Sequence, residues 1–437
     1  MTYVSHTGTS GNFSNSSNAG NTLPSLDDML TSLLLFEEGE HEFSSTEEGG
    51  QDVRQHFFPV TRNNIYLNHA ANGPLPLPVA QTVHEYIDDV SAFGGTHEAR
   101  WTEYQRGSHR RLASLLNARP DQIALTANTS DGLMMIAHGL TWQQGDTILS
   151  AEGEFPSNVY PWLNLQEQGV QVQTIPLRHY RVATEDIFAH ITEHTRLVSL
   201  SLVEFSTGYR NDIATIARYC HERGILCGID AMQALGAIDI DVQALDIDFL
   251  AAGSHKWLLA PRTVGILYVA DNLLSRLRTP RRGWFSVETP FAFSDFAQPL
   301  KAGAARFEYS SSNLTAIIGL DAALGLFESI EGGMSTIEKR ILGLTTYAVT
   351  GLERLGYEVI SPQGTGERSG IVCFRPHPDA TEGTAQQMVD ALAARSIYTA
   401  ARNNIVRISP HFYNTHAEID TLLNTLENLQ KIVVNPA

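Results

Sequence analysis

The most constraining feature of this chain is the regular alternation of short apolar runs with helix-length segments between residues 121 and 269. Strand-like Asp121–Ala127 leads into a helix over Thr129–Leu140. Strand-like Thr147–Ser150 is followed by a helix near Val159–Gln168 and a strand over Val170–Ile175. Leu197–Val203 is rich in β-formers. Asp212–Arg223 places Ile213, Ile216, Ala217 and Cys220 at helical spacing and is closed by Gly224. Ile225–Ile229, Ile247–Ala251 and Thr263–Val269 complete the series. Apolar runs of this kind are strands covered on both faces, and βαβ alternation builds a mainly parallel sheet. The expected fold is α/β, with a sheet of about seven strands as its centre.

The flanks differ from this middle. Up to Thr22 the chain is dominated by Ser, Asn, Gly and Thr, which cannot bury enough surface to fold alone. Leu23, Leu26, Leu30, Leu33 and Leu34 make one amphipathic patch between Leu23 and Glu40, a candidate docking segment or a weakly helical solvated tail. Beyond residue 300, helices are expected over Thr315–Ile330 and around Met334–Leu355. A small α+β unit follows, with strands at Gly370–Phe374, Ile397–Ala400 and Ile405–Ile408. Between the first two lies a helix over Ala385–Ala394, with Thr384 as N-cap. With 437 residues, the chain exceeds what one core usually holds. We therefore expect a tail (1–54), a large domain (55–300) and a small C-terminal domain (301–437) on which residues near 55–74 pack.

Charge and composition narrow the function. A net charge of −18 lacks the basic footprint of a nucleic-acid binder. No run of about 18 apolar residues is present, and no secretory leader is legible, so a cytoplasmic protein is expected. Cys220, Cys227 and Cys373 have no paired spacing and fit free thiols in a reducing compartment.

Four local patterns carry chemistry. Gly253-Ser254-His255-Lys256-Trp257 directly follows an apolar strand, at the sheet edge where open α/β folds bind ligands. A lysine buried there loses charge and becomes a nucleophile toward an aldehyde. Asp230 ends the preceding strand and could hold a pyridinium nitrogen protonated, and Gln233 could bond a phenolic oxygen. Ala127-Asn128-Thr129-Ser130 turns from strand to helix, where free amides and hydroxyls suit a phosphate. Phe155, after another strand, could stack on a planar ring. Each has a bland reading by itself: surface lysine, helix cap, core aromatic.

As a set, in this order, they resemble the class V aminotransferase family, which includes cysteine desulfurases, kynureninase and isopenicillin N epimerase-like enzymes. The similarity starts at Ile65-Tyr66-Leu67-Asn68-His69-Ala70-Ala71 and runs to the C-terminal helix. It implies the fold type I architecture and the cofactor pyridoxal 5′-phosphate (PLP), joined to Lys256 as a Schiff base. It also implies that Asp230 meets the pyridine nitrogen, Gln233 the phenolic oxygen and Phe155 the ring face. Thr129, Ser130, Asn128, His255 and Ser254 would hold the phosphate. Phe307-Glu308-Tyr309-Ser310-Ser311-Ser312-Asn313 is similar to a segment that reaches the neighbouring subunit's phosphate, so a homodimer with shared sites is implied, with Ser311 as the contact. Arg407, in Arg407-Ile408-Ser409-Pro410-His411, resembles the residue that grips an amino acid's α-carboxylate, a task its guanidinium fork suits.

The reaction type is less legible. Desulfurases carry a cysteine in the stretch corresponding to Ser396–Val406, and here there is none, which argues against persulfide formation. An aminotransferase-type enzyme acting at the α-carbon of an amino acid, a small-molecule substrate, is the leading expectation. A C–S lyase, an epimerase and a non-catalytic scaffold of the same fold are the alternatives. Glu204 stands where relatives often have Ser; it is a candidate substrate contact, or else a salt-bridge partner of Arg210.

Overall fold

The computed structural model describes residues 53–376 and 384–434. The amphipathic patch between Leu23 and Glu40 lies outside these residues. A two-residue strand, β1 (Ile65–Tyr66), precedes the main sheet. That sheet comprises β2 (Ile123–Thr126), β3 (Thr147–Ala151), β4 (Gln171–Ile175), β5 (Thr195–Ser201), β6 (Leu226–Asp230), β7 (Phe249–Gly253) and β8 (Gly265–Val269). Its order is β2-β8-β7-β6-β5-β3-β4. β8 runs antiparallel to both neighbours and every other pairing is parallel, so the remaining strands share one direction. β3, β6, β7 and β8 are buried throughout, as apolar runs without alternation require when helices cover both faces. Edge strand β4 is the exception and carries exposed glutamines. Fully burying a side chain such as Phe249 or Ile229 contributes about 1.5–3 kcal/mol.

Register then sets the site. Ser201 pairs with Asp230, and Asp230 with Ala251, so β5, β6 and β7 end side by side. The loops that leave their C-terminal ends open onto one crevice, the usual ligand position in such sheets.

Two expectations about helices change. The helix expected near Val159–Gln168 is only Tyr160–Leu163, followed by a 3₁₀ turn at Gln166–Gln168 that stops at left-handed Gly169. Pro161 sits in that helix's first turn, where its missing N–H costs no bond, and Gly169 at φ 80° ends the segment in the left-handed conformation that stops a helix. Conversely, two long helices, Leu77–Phe93 and Glu98–Leu115, escape periodicity because they bury narrow stripes; the second buries Trp101, Leu112 and Ala113 among polar residues. Helix Leu314–Glu328 packs on both, and its all-round apolar surface fits that central place.

The C-terminal part is a three-stranded antiparallel sheet of β9 (Val372–Phe374), β11 (Ala400–Arg402) and β12 (Ile405–Ile408), in the order β11-β12-β9. The strand expected over Ile397–Ala400 divides, its first half becoming β10 (Ile397–Tyr398), which pairs with β1. Helices Gly333–Arg354, Ala385–Ala393 and His416–Val434 surround a core of Leu344, Leu352, Phe374, Ile408 and Leu422. Leu67 joins this core, and Arg54 pairs with Glu418 at 2.8 Å. Thr384 caps the middle helix with a reciprocal Gln387 bond. Among the described residues no helix is long and apolar enough to cross a membrane.

Candidate active site

Lys256 leaves the end of β7 and its amine turns into a cavity of about 450 Å³. Only 9% of the residue is exposed. Burial pulls its amine from the ordinary 10.5 to about 8; Asp230 opposes the shift, and Arg407 and Arg402 reinforce it. Its backbone is clamped from outside by the loop after β1, where the Gly73 amide donates to the His255 carbonyl at 2.8 Å. A Cβ on Gly73 would stand 2.2 Å from the Lys256 carbonyl oxygen, so only glycine allows this approach.

Asp230, the last residue of β6, faces the same cavity. Its Oδ1 accepts the Met232 amide at 2.8 Å, and Oδ2 has no hydrogen-bond partner among the described residues. Burial pushes its carboxyl up to about 6, against the opposing effects of that amide and of Lys256. Gln233 is fixed at both ends: Nε2 donates to the Ala70 carbonyl and Oε1 accepts from the Trp257 indole. One N–H of its Nε2 remains free.

Asn128, Thr129, Ser130 and His255 line the same cavity. Asn128 caps the helix Thr129–Gly139 by accepting the Asp131 amide, which fixes where the helix starts. The amides of Thr129 and Ser130, in the first turn, have no intrahelical acceptor. The Ser130 hydroxyl donates to Ser157. Burial, Lys256 and Arg262 pull His255 down to about 4, leaving a neutral imidazole. Phe155, 41% exposed, faces Lys256, whose amine lies 5.4 Å from the ring centroid. Arg407 is 2% exposed; its Nη1 donates to the Phe205 carbonyl at 3.0 Å and its Nε is unpaired.

Ser254 and Glu204 are not brought to the cavity, and neither is Ser311, which the resemblance assigns to the neighbouring subunit's site. Ser254 is buried and its hydroxyl donates to the Pro261 carbonyl, so it closes the turn around Lys256 instead of facing a phosphate. Ser311 is exposed and outside this cavity. Glu204 is 1% exposed and turned inward, where it accepts from Asn211; Arg210 pairs instead with Glu338. Burial and the nearby Glu154 hold the Glu204 carboxyl well above 4.5, and its inward course keeps it off the cavity wall where a substrate would lie.

Other groups reach the site without having been singled out: Phe205, Ser201, Met232 and Arg402 line the cavity. Glu154 lies buried behind it, accepting both the amide and the hydroxyl of Ser201. Burial, with the Asp230 charge adding to it against the Ser201 bonds, pushes Glu154 up to about 7. Arg402 was legible in principle, because Asn403-Asn404 between two β-runs signals a hairpin that would place it near Arg407.

An unpartnered carboxylate oxygen, a spare amide N–H, an aromatic face and a helix start with free amides fit PLP's ring nitrogen, phenolic oxygen, ring and phosphate. Comparison with known proteins agrees. The family model for aminotransferase class-V matches residues 65–422. The chain belongs to the aminotransferase class-V family. It is a PLP-dependent enzyme with that family's fold. A probable cysteine desulfurase of Methanothermobacter thermautotrophicus is 30% identical, over 87% of this chain and 98% of that protein. The uncharacterized aminotransferase YcbU of Bacillus subtilis is 29% identical, over 83% and 93%. Among solved structures, a C-DES mutant with glycine covalently linked to its PLP cofactor superposes with a TM-score of 0.80 at 24% identity, covering 86% of this chain and 99% of that one.

Within this class-V chain, no cysteine lines the cavity. All three are free and buried. The nearest in register to the site, Cys373, pairs across the sheet with Arg407, and burial pushes its thiol up to about 11. A thiol held there is protonated and shielded, the reverse of what a nucleophilic cysteine needs.

Proposed function

We propose that this protein is an aminotransferase-type enzyme that moves a proton at the α-carbon of an amino acid without a cysteine nucleophile. One observation carries the reading: a single lysine amine, tuned by burial to about 8, shares one cavity with a buried carboxylate that keeps a free oxygen and with a buried arginine. When bound, PLP supplies the electron sink that stabilises negative charge at the substrate's α-carbon. In this reading Asp230 Oδ2 holds a proton on the ring nitrogen and Gln233 Nε2 donates to the phenolic oxygen. Asn128, Thr129, Ser130 and His255 take the phosphate, and Phe155 covers one ring face. Arg407 fixes the α-carboxylate and so orients the bond to be broken. Lys256 Nζ carries the proton.

Transamination asks for one proton carrier serving two carbons. Among the described lining residues there is one amine, no thiol and no phenol. The wall facing Lys256 is aromatic, Phe155 with Phe205 edge-on at 5.3 Å, so it offers no second base of the kind a two-base epimerase uses. β-Elimination also needs only one base and is the alternative. A screen of amino acids on the yellow, PLP-loaded protein separates them. We expect oxo-acid formation that requires an amino acceptor and disappears in Lys256→Ala. Pyruvate and ammonia released without an acceptor would replace this reading by a lyase, solvent deuterium at Cα with racemisation by an epimerase. A colourless protein that takes up no PLP would leave a scaffold.

The same reading includes a cytoplasmic homodimer, in which Ser311 serves the partner's phosphate. Exposed aromatics just before it, Trp284, Phe291, Phe293 and Phe296, support an interface there, and three unpaired cysteines fit a reducing compartment. The tail before residue 55 remains a candidate docking segment. Sedimentation of the purified protein tests the dimer.

A further inference from the structure

Strand geometry sets a second arginine beside Arg407. In the β11–β12 hairpin Ala400 lies opposite Arg407 and Arg402 opposite Ile405. Side chains two apart share a face, so Arg402 is the diagonal neighbour of Arg407. Both side chains line the Lys256 cavity. The turn between them holds Asn403 and Asn404 at φ 47° and 59°, left-handed backbone that asparagine tolerates. Asn404 Oδ1 also accepts the Ala385 amide at 3.0 Å, tying the hairpin tip to the adjacent helix. Arg402 therefore stands on an anchored element.

Its charge is unmatched. The cavity wall carries Lys256, Arg402 and Arg407 against one carboxylate, Asp230. Some arginines of this acidic chain find acids, Arg119 with Asp271 and Arg181 with Glu367, whereas among the described residues Arg262 and Arg395 bond only neutral groups. Among the described residues Arg402 has no acidic partner, and its Nη1 donates only to the neighbouring Ala401 carbonyl. It is close enough to lower the proton affinity of both Lys256 and Arg407. With the phosphate held by Asn128, Thr129, Ser130 and His255 and an α-carboxylate on Arg407, Arg402 would still have no carboxylate of its own.

We propose that Arg402 is a specificity residue that binds a second anionic group, so that the preferred substrates are amino acids with an acidic side chain. The inference rests on the cavity being a PLP amino-acid site. A guanidinium fork suits a carboxylate, and a third cation at the mouth disfavours basic side chains.

The test uses the PLP-loaded full chain, titrated with L-aspartate and L-glutamate and with their neutral isosteres L-asparagine and L-glutamine, followed by the cofactor's visible absorbance. An acid should bind ~10-fold more tightly than its isostere, as one charge-assisted contact near solvent contributes. Arg402→Gln should bring that ratio near one, and Arg402→Lys should keep part of it. A wild-type ratio of one or below overturns the inference without recourse to any variant; so does a ratio that Arg402→Gln leaves intact. Absorbance changes with neutral amino acids but no acid preference defeat this inference alone, whereas no change with any amino acid defeats the proposed function itself.

Discussion

Capture of PLP by the protein freed of cofactor depends on how much of Lys256 is neutral, and the structure sets that fraction. Burial brings the amine to about 8, from 10.5 for an ordinary lysine. At pH 7 roughly one amine in ten is then neutral, instead of roughly one in three thousand, a gain of ~300-fold. The rate of PLP uptake, followed by absorbance after mixing, should climb with pH and level off just above pH 8. Two substitutions should move the midpoint in opposite directions. Asp230→Asn removes the negative charge that stabilises the ammonium, so the midpoint should fall. Arg407→Gln removes a positive charge that destabilises it, so the midpoint should rise. Because the readout is a midpoint and not an amplitude, loss of affinity for the cofactor does not mimic either shift. Uptake still rising tenfold per pH unit past about pH 9.5, or Asp230→Asn shifting the midpoint upward, would refute the reasoning.

Three further outcomes follow from individual contacts. Arg407→Lys replaces a fork by a point charge and should raise KM for the amino acid about 10- to 100-fold, measured by steady-state kinetics. Gly73→Ala drives a Cβ to 2.2 Å from the Lys256 carbonyl and should cost about 1–3 kcal/mol in urea unfolding while slowing PLP uptake. Glu204 keeps in the fold a proton that the unfolded chain releases above pH 4.5, so it lowers stability as pH rises from 4.5 toward its folded value. Glu204→Gln lacks that loss: its urea midpoint should exceed the wild type's at about pH 8, and the gap should close near pH 4.5.

What the sequence determined by itself was local or carried by order along the chain. Apolar runs without alternation specify covered strands, so the sheet and the strand-end positions of Lys256 and Asp230 were legible before any coordinates. Thr384 could be placed as a cap because capping involves only its next few neighbours. Tertiary structure decided what depends on direction and company. Glu204, promising as a charge near the site, turns inward onto Asn211, and Ser254 spends its hydroxyl on Pro261. A charged or hydroxyl side chain looks the same in sequence whichever side of a strand it leaves. Arg402 shows the converse: Asn403-Asn404 signals a turn in sequence, but the register that sets Arg402 beside Arg407 is decided when β11 folds against β12. Lys256 combines both cases, since its place at the end of β7 was written locally. Its proton affinity is instead a sum over a distant carboxylate, two arginines and the removal of water, which only the folded chain brings together.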